Sequence, residues 1–152
     1  MSSGYDYKST ARWAADRRGL VNGEDIEQSI DFSAPPEFHG EPGLWTPEHF
    51  LVSAVATCFV TTFLAIAELS KLEPRSLEVA AEGTVEKAEG HFQFTRIIVR
   101  PVLAIDHESD RERAYRILEK AEHSCLVSRS LQSKVVMEPT VTVLGQARAL
   151  AA

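Results

Sequence analysis

Apolar and polar positions divide the chain into short strand-like stretches around one long apolar run. Tyr5 to Trp13 mixes polar and aromatic residues in a way that suits an edge strand, and Arg17-Arg18-Gly19 follows as a turn. The segment GLVNGEDIEQSIDFSA predicts two more strands joined at Asn22-Gly23, a strong hairpin dipeptide. Ala34 to Trp45 carries three prolines and two glycines and predicts a loop. Thr46 is placed to cap a helix, Pro47 suits its first position, and Glu48 sets an anion on the positive end of the dipole. That helix is expected to end near Leu72, ahead of Pro74. Leu77, Val79, Ala81, Gly83 and Val85 alternate onto one face of a half-buried strand; Ala88-Glu89-Gly90 turns the chain, and FQFTRIIVRPVLAI returns it. A second helix, DRERAYRILEKAEHSC, follows Ser109 or Asp110 and gathers Ala114, Leu118, Ala121 and Cys125 on one stripe. A short helical or looped piece and a last strand close the pattern, with a loose tail at 146–152. The order β-β-β-α-β-β-α-β predicts an α+β fold in which an antiparallel sheet wraps a central hydrophobic helix.

The uncharged run from Phe50 to Ala67 raises the question of a membrane span. Its 18 residues rise about 27 Å as a helix, slightly short of a hydrocarbon core. Acidic Glu48 and Glu68 flank it, no Lys or Arg lies within a turn of its N-terminal end, and Ser53, Thr57, Thr61 and Thr62 dilute it. No span is expected, so the run should be a helix buried on nearly all sides. The rest of the composition agrees: 152 residues, 44% hydrophobic and 25% charged, suit one domain over 1–152 with a core of about 5–145. Net charge is −6 with no basic cluster, which argues against nucleic acid as a partner. Two cysteines, Cys58 and Cys125, are too few for a disulfide framework, and MSSGYDYKSTARW has no apolar run of a secretory signal; a cytoplasmic location is the expectation.

A Pro-Glu pair opening an apolar helix, a cysteine ten positions after that Glu, and a second cysteine near the end of a later helix form a specific combination. With Arg17 in a turn ahead of them, TPEHFLVSAVATCF and HSCLVSRSL resemble the OsmC/Ohr family of osmotically inducible and organic-hydroperoxide-resistance proteins. The resemblance covers about residues 5–145. It implies a thiol peroxidase that folds as an intertwined α+β homodimer with active sites at the subunit interface. By position, Cys58 resembles the peroxidatic cysteine and Cys125 the resolving one, while Glu48 and Arg17 resemble the family's carboxylate and guanidinium. Two departures stand out: Arg18 follows Arg17 and competes for its role, and Leu126 occupies a place where many members have proline.

Reduction of a hydroperoxide needs a thiolate, and burial alone raises a thiol's pKa. A compensating cation is therefore expected, and Arg17, oriented by Glu48 through a bidentate pair, is the candidate; it could also stabilise negative charge on the peroxide oxygens. Ten residues of one helix separate Glu48 from Cys58 by about 15 Å. Either the arginine bridges that gap, the helix breaks, or Glu48 serves the cysteine of a second subunit, the arrangement favoured here. Attack would leave Cys58 as a sulfenic acid, Cys125 would condense with it to a disulfide, and an external dithiol would reopen the bridge. The resemblance implies a lipoyl-type dithiol. Phe50, Phe59 and Trp45 suit a hydrophobic organic hydroperoxide.

Each residue also has a plainer role. A cysteine in an apolar helix usually behaves as a small hydrophobe, Cys125 sits where packing alone would put an apolar residue, and paired turn arginines are commonly solvated. Glu48 is sufficiently explained by the helix dipole. His39, His49, His91, His107 and His123 lie in no ligand spacing, so no metal and no cofactor is expected. Beside the peroxidase stand two other functions on the same fold: a non-catalytic small-molecule binder and a thiol redox sensor.

Overall fold

The computed structural model describes residues 3–145, so the expected tail at 146–152 lies outside the described residues. The chain divides into two compact units, Met1–Leu51 and Val52–Ala152.

In the first unit, β1 (Ser9–Ala15), β2 (Arg18–Gly23) and β3 (Ile30–Ser33) form an antiparallel sheet in that order. β1 is an edge strand, as its composition predicts, and every residue in it is exposed. The reversal into β2 is at Asp16-Arg17, with Asp16 in the left-handed region at φ 49°, so Arg18 and Gly19 are strand rather than turn. A Cβ at Gly19 would lie 2.2 Å from the Arg12 carbonyl oxygen, which explains a glycine inside the strand. Asn22-Gly23 does not make a two-residue hairpin. The Glu24 N–H bonds the Lys8 oxygen at 2.9 Å, so the β1 pairing runs past Gly23, and residues 24–29 make the crossing to β3. The proline-rich loop holds one 3-10 turn, Pro36–Phe38, and returns alongside the sheet, where the Ser33 N–H bonds the Trp45 oxygen at 2.8 Å.

Helix α1 (Pro47–Leu69) starts where the sequence predicts. Thr46 Oγ1 accepts the His49 N–H at 3.2 Å, and His49 Nδ1 accepts the Thr46 N–H at 3.3 Å. This is a capping box in which histidine takes the usual place of Glu or Gln. The helix ends at Leu69, before the expected Leu72, because Lys71 turns into the left-handed region at φ 55°. There the Leu72 N–H bonds the Ala67 oxygen at 2.9 Å and the Lys71 N–H bonds the Glu68 oxygen at 3.1 Å, a Schellman turn.

The second unit joins β4 (Ser76–Ala88) and β5 (His91–Ile105) through a tight turn at Glu89 and Gly90, both with positive φ, as Ala88-Glu89-Gly90 predicts. Alternate burial along β4 holds as far as Gly83; a bulge between Thr84 and Val85 then leaves Val85 exposed. Helix α2 (Arg111–Ser124) buries Ala114, Leu118, Ala121 and, at its C-cap, Cys125, with Ile117 added to the expected stripe. A four-residue helix, α3 (Leu126–Arg129), follows at once.

The expected last strand is two strands, β6 (Lys134–Met137) and β7 (Thr140–Val143), and both run parallel to β5. The sheet is thus mixed, not wholly antiparallel. The division has a local cause. The Glu138 N–H donates to the Val99 oxygen at 2.8 Å, and the reciprocal donor two residues along β5 would be Pro101, which has no N–H. The ladder stops there, Pro139 follows, and β7 resumes in the same register.

α1 is fully buried along one stripe only: Val55, Phe59, Phe63 and Ala67. By length and composition it is long and apolar enough to cross a bilayer, yet this stripe makes it a core helix of the fold. Leu64 and Leu69 are exposed. A single copy of the chain does not enclose the helix.

Candidate functional site

The two cysteines, from different helices, meet. Cys58, half-buried on α1, and Cys125, fully buried at the junction of α2 and α3, are both free thiols, close enough for each to act on the other's pKa. Around them is a small set of donors. Burial pushes the Cys58 thiol up, but the Val127 backbone N–H, the Cys125 thiol, the Thr62 hydroxyl and the Leu126 backbone N–H together outweigh it, and its pKa lies below the ordinary value. Thr62, one helical turn on, has Oγ1 3.9 Å from the sulfur. Burial pushes Cys125 up, the Ser128 hydroxyl and backbone N–H oppose it only in part, and the neighbouring Cys58 pushes it further up. One sulfur is prepared to be the anion and the other to keep the proton.

The sign of these shifts is testable. A lowered pKa enlarges the thiolate fraction of Cys58 at neutral pH relative to the unfolded chain, and only thiolate alkylates. The rate of Cys58 alkylation by iodoacetamide should therefore reach half its plateau at lower pH in the native protein than in urea. Equal midpoints would mean that the surrounding donors do not act on the sulfur.

Sequence reasoning looked to a cation for this compensation. Within the second unit it comes from neutral donors: two amides of α3, a hydroxyl and a thiol. Thr62, Leu126, Val127 and Ser128 were not foreseen. Thr62 could have been found from its i+4 spacing to Cys58, but the amides carry no side-chain signal. Leu126 is instructive, because proline at that position would have no N–H to give.

Arg17 and Glu48 belong to the first unit. Arg17 is exposed at the β1–β2 turn and lines a cavity of about 650 Å³ with Arg18, Ser33, His39 and Glu41. Arg18 is ion-paired with Glu41 at 2.9 Å, whereas the Arg17 guanidinium has no ionic partner among the described residues. Glu48 is half-buried in the first turn of α1, and its Oε2 is buried with no hydrogen-bond partner among the described residues. The chain does not close an Arg17–Glu48 pair by itself. α1 is continuous through both Glu48 and Cys58, which removes a helix break from the alternatives. Of the aromatic residues expected to greet a substrate, Trp45 and Phe50 stack at 5.7 Å, but Phe59 is spent in the core. All five histidines are exposed.

Comparison with known proteins agrees with this architecture. The sequence model of the family described as OsmC-like protein matches residues 39–140. The chain is 33% identical over 137 residues to the uncharacterized protein YmaD of Bacillus subtilis, covering 88% of this chain and 91% of that protein. It is 24% identical over 135 residues to the peroxiredoxin OsmC of Escherichia coli, covering 86% and 93% respectively. Among solved structures, an organic hydroperoxide resistance protein from Elizabethkingia anophelis superposes with a TM-score of 0.75 at 19% identity, over 94% of this chain and 99% of that one. The chain belongs to the OsmC/Ohr family of OsmC-like proteins.

Proposed function

We propose that this protein is a thiol peroxidase that reduces organic hydroperoxides to alcohols. Family membership and a relative named as a peroxiredoxin support an oxidoreductase role, and a structural neighbour named for organic hydroperoxide resistance supports the substrate class. The observation that carries the mechanism is the pair of free thiols acting on each other, with Cys58 lowered in pKa and Cys125 raised.

The Cys58 thiolate attacks the outer oxygen of ROOH, the O–O bond breaks, and RO⁻ takes up a proton and leaves as ROH. Cys58 is then a sulfenic acid. The Cys125 sulfur displaces its hydroxyl as water and forms the Cys58–Cys125 disulfide. An external dithiol of lipoyl type restores both thiols and departs as its own cyclic disulfide.

The working form is a homodimer of single OsmC-like domains. Two observations favour it: the incompletely covered face of α1, and a first-unit sheet whose edge strand leaves Trp13 79% exposed. The orphaned Glu48 Oε2 and the uncommitted Arg17 suit a shared site, with this carboxylate meeting a guanidinium beside the cysteine of the second copy. Arg17 takes the role rather than Arg18, which Glu41 already holds. The exposed Trp45, stacked on half-buried Phe50, suits a hydrophobic substrate.

The decisive assay follows cumene hydroperoxide consumption with dihydrolipoamide in the wild type and in Cys58→Ser. Turnover confined to the wild type supports the reading; equal rates in the two would sink it.

A further inference from the structure

The two cysteines stand at one end of a helix pair whose other end is closed by an arginine. Arg113, in the first turn of α2, donates from Nη1 to the Ser70 oxygen at 3.1 Å and from Nη2 to the Lys71 oxygen at 3.4 Å. Those carbonyls belong to the Schellman turn that ends α1. The same Nη2 bonds Asp110 Oδ1 at 2.9 Å, which fixes the guanidinium from the α2 side. Nε is buried without a partner among the described residues, while the other nitrogens reach the two carbonyls and the carboxylate.

The spacing links this clamp to the thiols. Cys58 precedes Ser70 by twelve residues, and Arg113 precedes Cys125 by twelve. Each span is about 18 Å of helix. α1 and α2 thus run antiparallel with two fixed points at matching separations, Arg113 on Ser70 at one end and Cys58 on Cys125 at the other. Between Arg113 and Cys125, α2 buries Ala114, Ile117, Leu118 and Ala121. A slip of one residue moves a helix about 1.5 Å along its axis. Disulfide geometry tolerates little of that, since Cβ atoms must lie about 3.5–4.5 Å apart.

We propose that Arg113 is a positioning residue which, by gripping the C-terminal turn of α1, sets the register of the two helices and with it the approach of Cys58 to Cys125. The inference rests on the reading that these two thiols form a disulfide. It does not require that a hydroperoxide be the oxidant.

The test equilibrates the full-length protein in glutathione redox buffers and measures the fraction of Cys58–Cys125 disulfide by thiol trapping and mass spectrometry. Arg113→Met keeps the bulk and loses the donors. Its disulfide should form with an equilibrium constant lower by about tenfold, equivalent to about 30 mV for a two-electron couple. Arg113→Lys, which can still reach one carbonyl, should recover part of the loss. A role in stability alone would lower the oxidised and reduced forms alike, so an unchanged equilibrium constant in folded Arg113→Met overturns the proposal. Should that variant not fold, Asp110→Asn releases the anchor while keeping the arginine; a smaller shift in the same direction supports the proposal, and no shift overturns it. The two readings separate in the wild type. A bridge that forms from glutathione disulfide but not from hydroperoxide refutes the peroxidase and leaves the clamp intact, whereas no bridge under either oxidant refutes the clamp.

Discussion

Cys58→Ser is expected to lower hydroperoxide reduction to background, while Cys125→Ser keeps about one turnover per chain and then stalls. The asymmetry follows from the two sulfurs' surroundings. Cys58 accepts from the Val127 and Leu126 amides, the Cys125 thiol and the Thr62 hydroxyl, all of which favour its anion. Cys125 is fully buried, with its pKa raised, which makes it the poorer nucleophile toward hydroperoxide and leaves the first attack to Cys58. In Cys125→Ser the first step survives, but the sulfenic acid has no neighbouring thiol to condense with. Without reductant the variant should release about one equivalent of alcohol, and excess hydroperoxide should then carry Cys58 to the sulfinic acid. Quantifying the alcohol and weighing the intact chain check both halves. Continued turnover by Cys125→Ser without reductant, or alcohol formation by Cys58→Ser, would contradict the assigned roles.

Phe63→Ala is expected to cost about 3–5 kcal/mol of stability. Phe63 is 0% exposed on the fully buried stripe of α1, so truncating it leaves a cavity in the core. Against a total of about 5–15 kcal/mol for a typical domain, that loss leaves the variant marginal. Urea unfolding at fixed protein concentration should show a large fall in midpoint with little change in slope. The adjacent Leu64, 46% exposed, provides the contrast. If nothing else covers it, Leu64→Ala should change stability by less than about 0.5 kcal/mol. A cost well above that, shrinking with dilution, would mean that a second copy buries this face in solution.

How far the sequence discloses these features depends on where each is determined. The start of α1 is local: Thr46, Pro47 and Glu48 specify it, and only the histidine completing the capping box escapes the usual pattern. The α2 stripe through Cys125 is equally local, being a matter of period. The Asn22-Gly23 hairpin fails because a non-local bond, Glu24 to Lys8, extends the sheet past it. The split last strand depends on Pro101, more than thirty residues away, so inspection of residues 134–143 by themselves cannot reveal it. The site divides in the same way. Cys58 and Cys125 are legible as residue types in context, and the structure brings them together. The α3 amides are backbone, and their contribution to Cys58 becomes visible only once the chain has folded.

Pro101 has a consequence at the chain's end. Because the β5 ladder is interrupted beside Glu138, β7 is held by its own bonds to Val102–Ile105 and by the Arg111 bond to the Val141 oxygen, separately from β6. Opening of β7 meets a gap beside Pro101, which has no N–H to continue the ladder and pass the disturbance on. β6 stays zipped to Arg96–Val99, and with it the segment leading back through α3 to the thiols. A missing N–H thus acts as a firebreak, letting the last strand open and reclose while the donors around Cys58 stay in place.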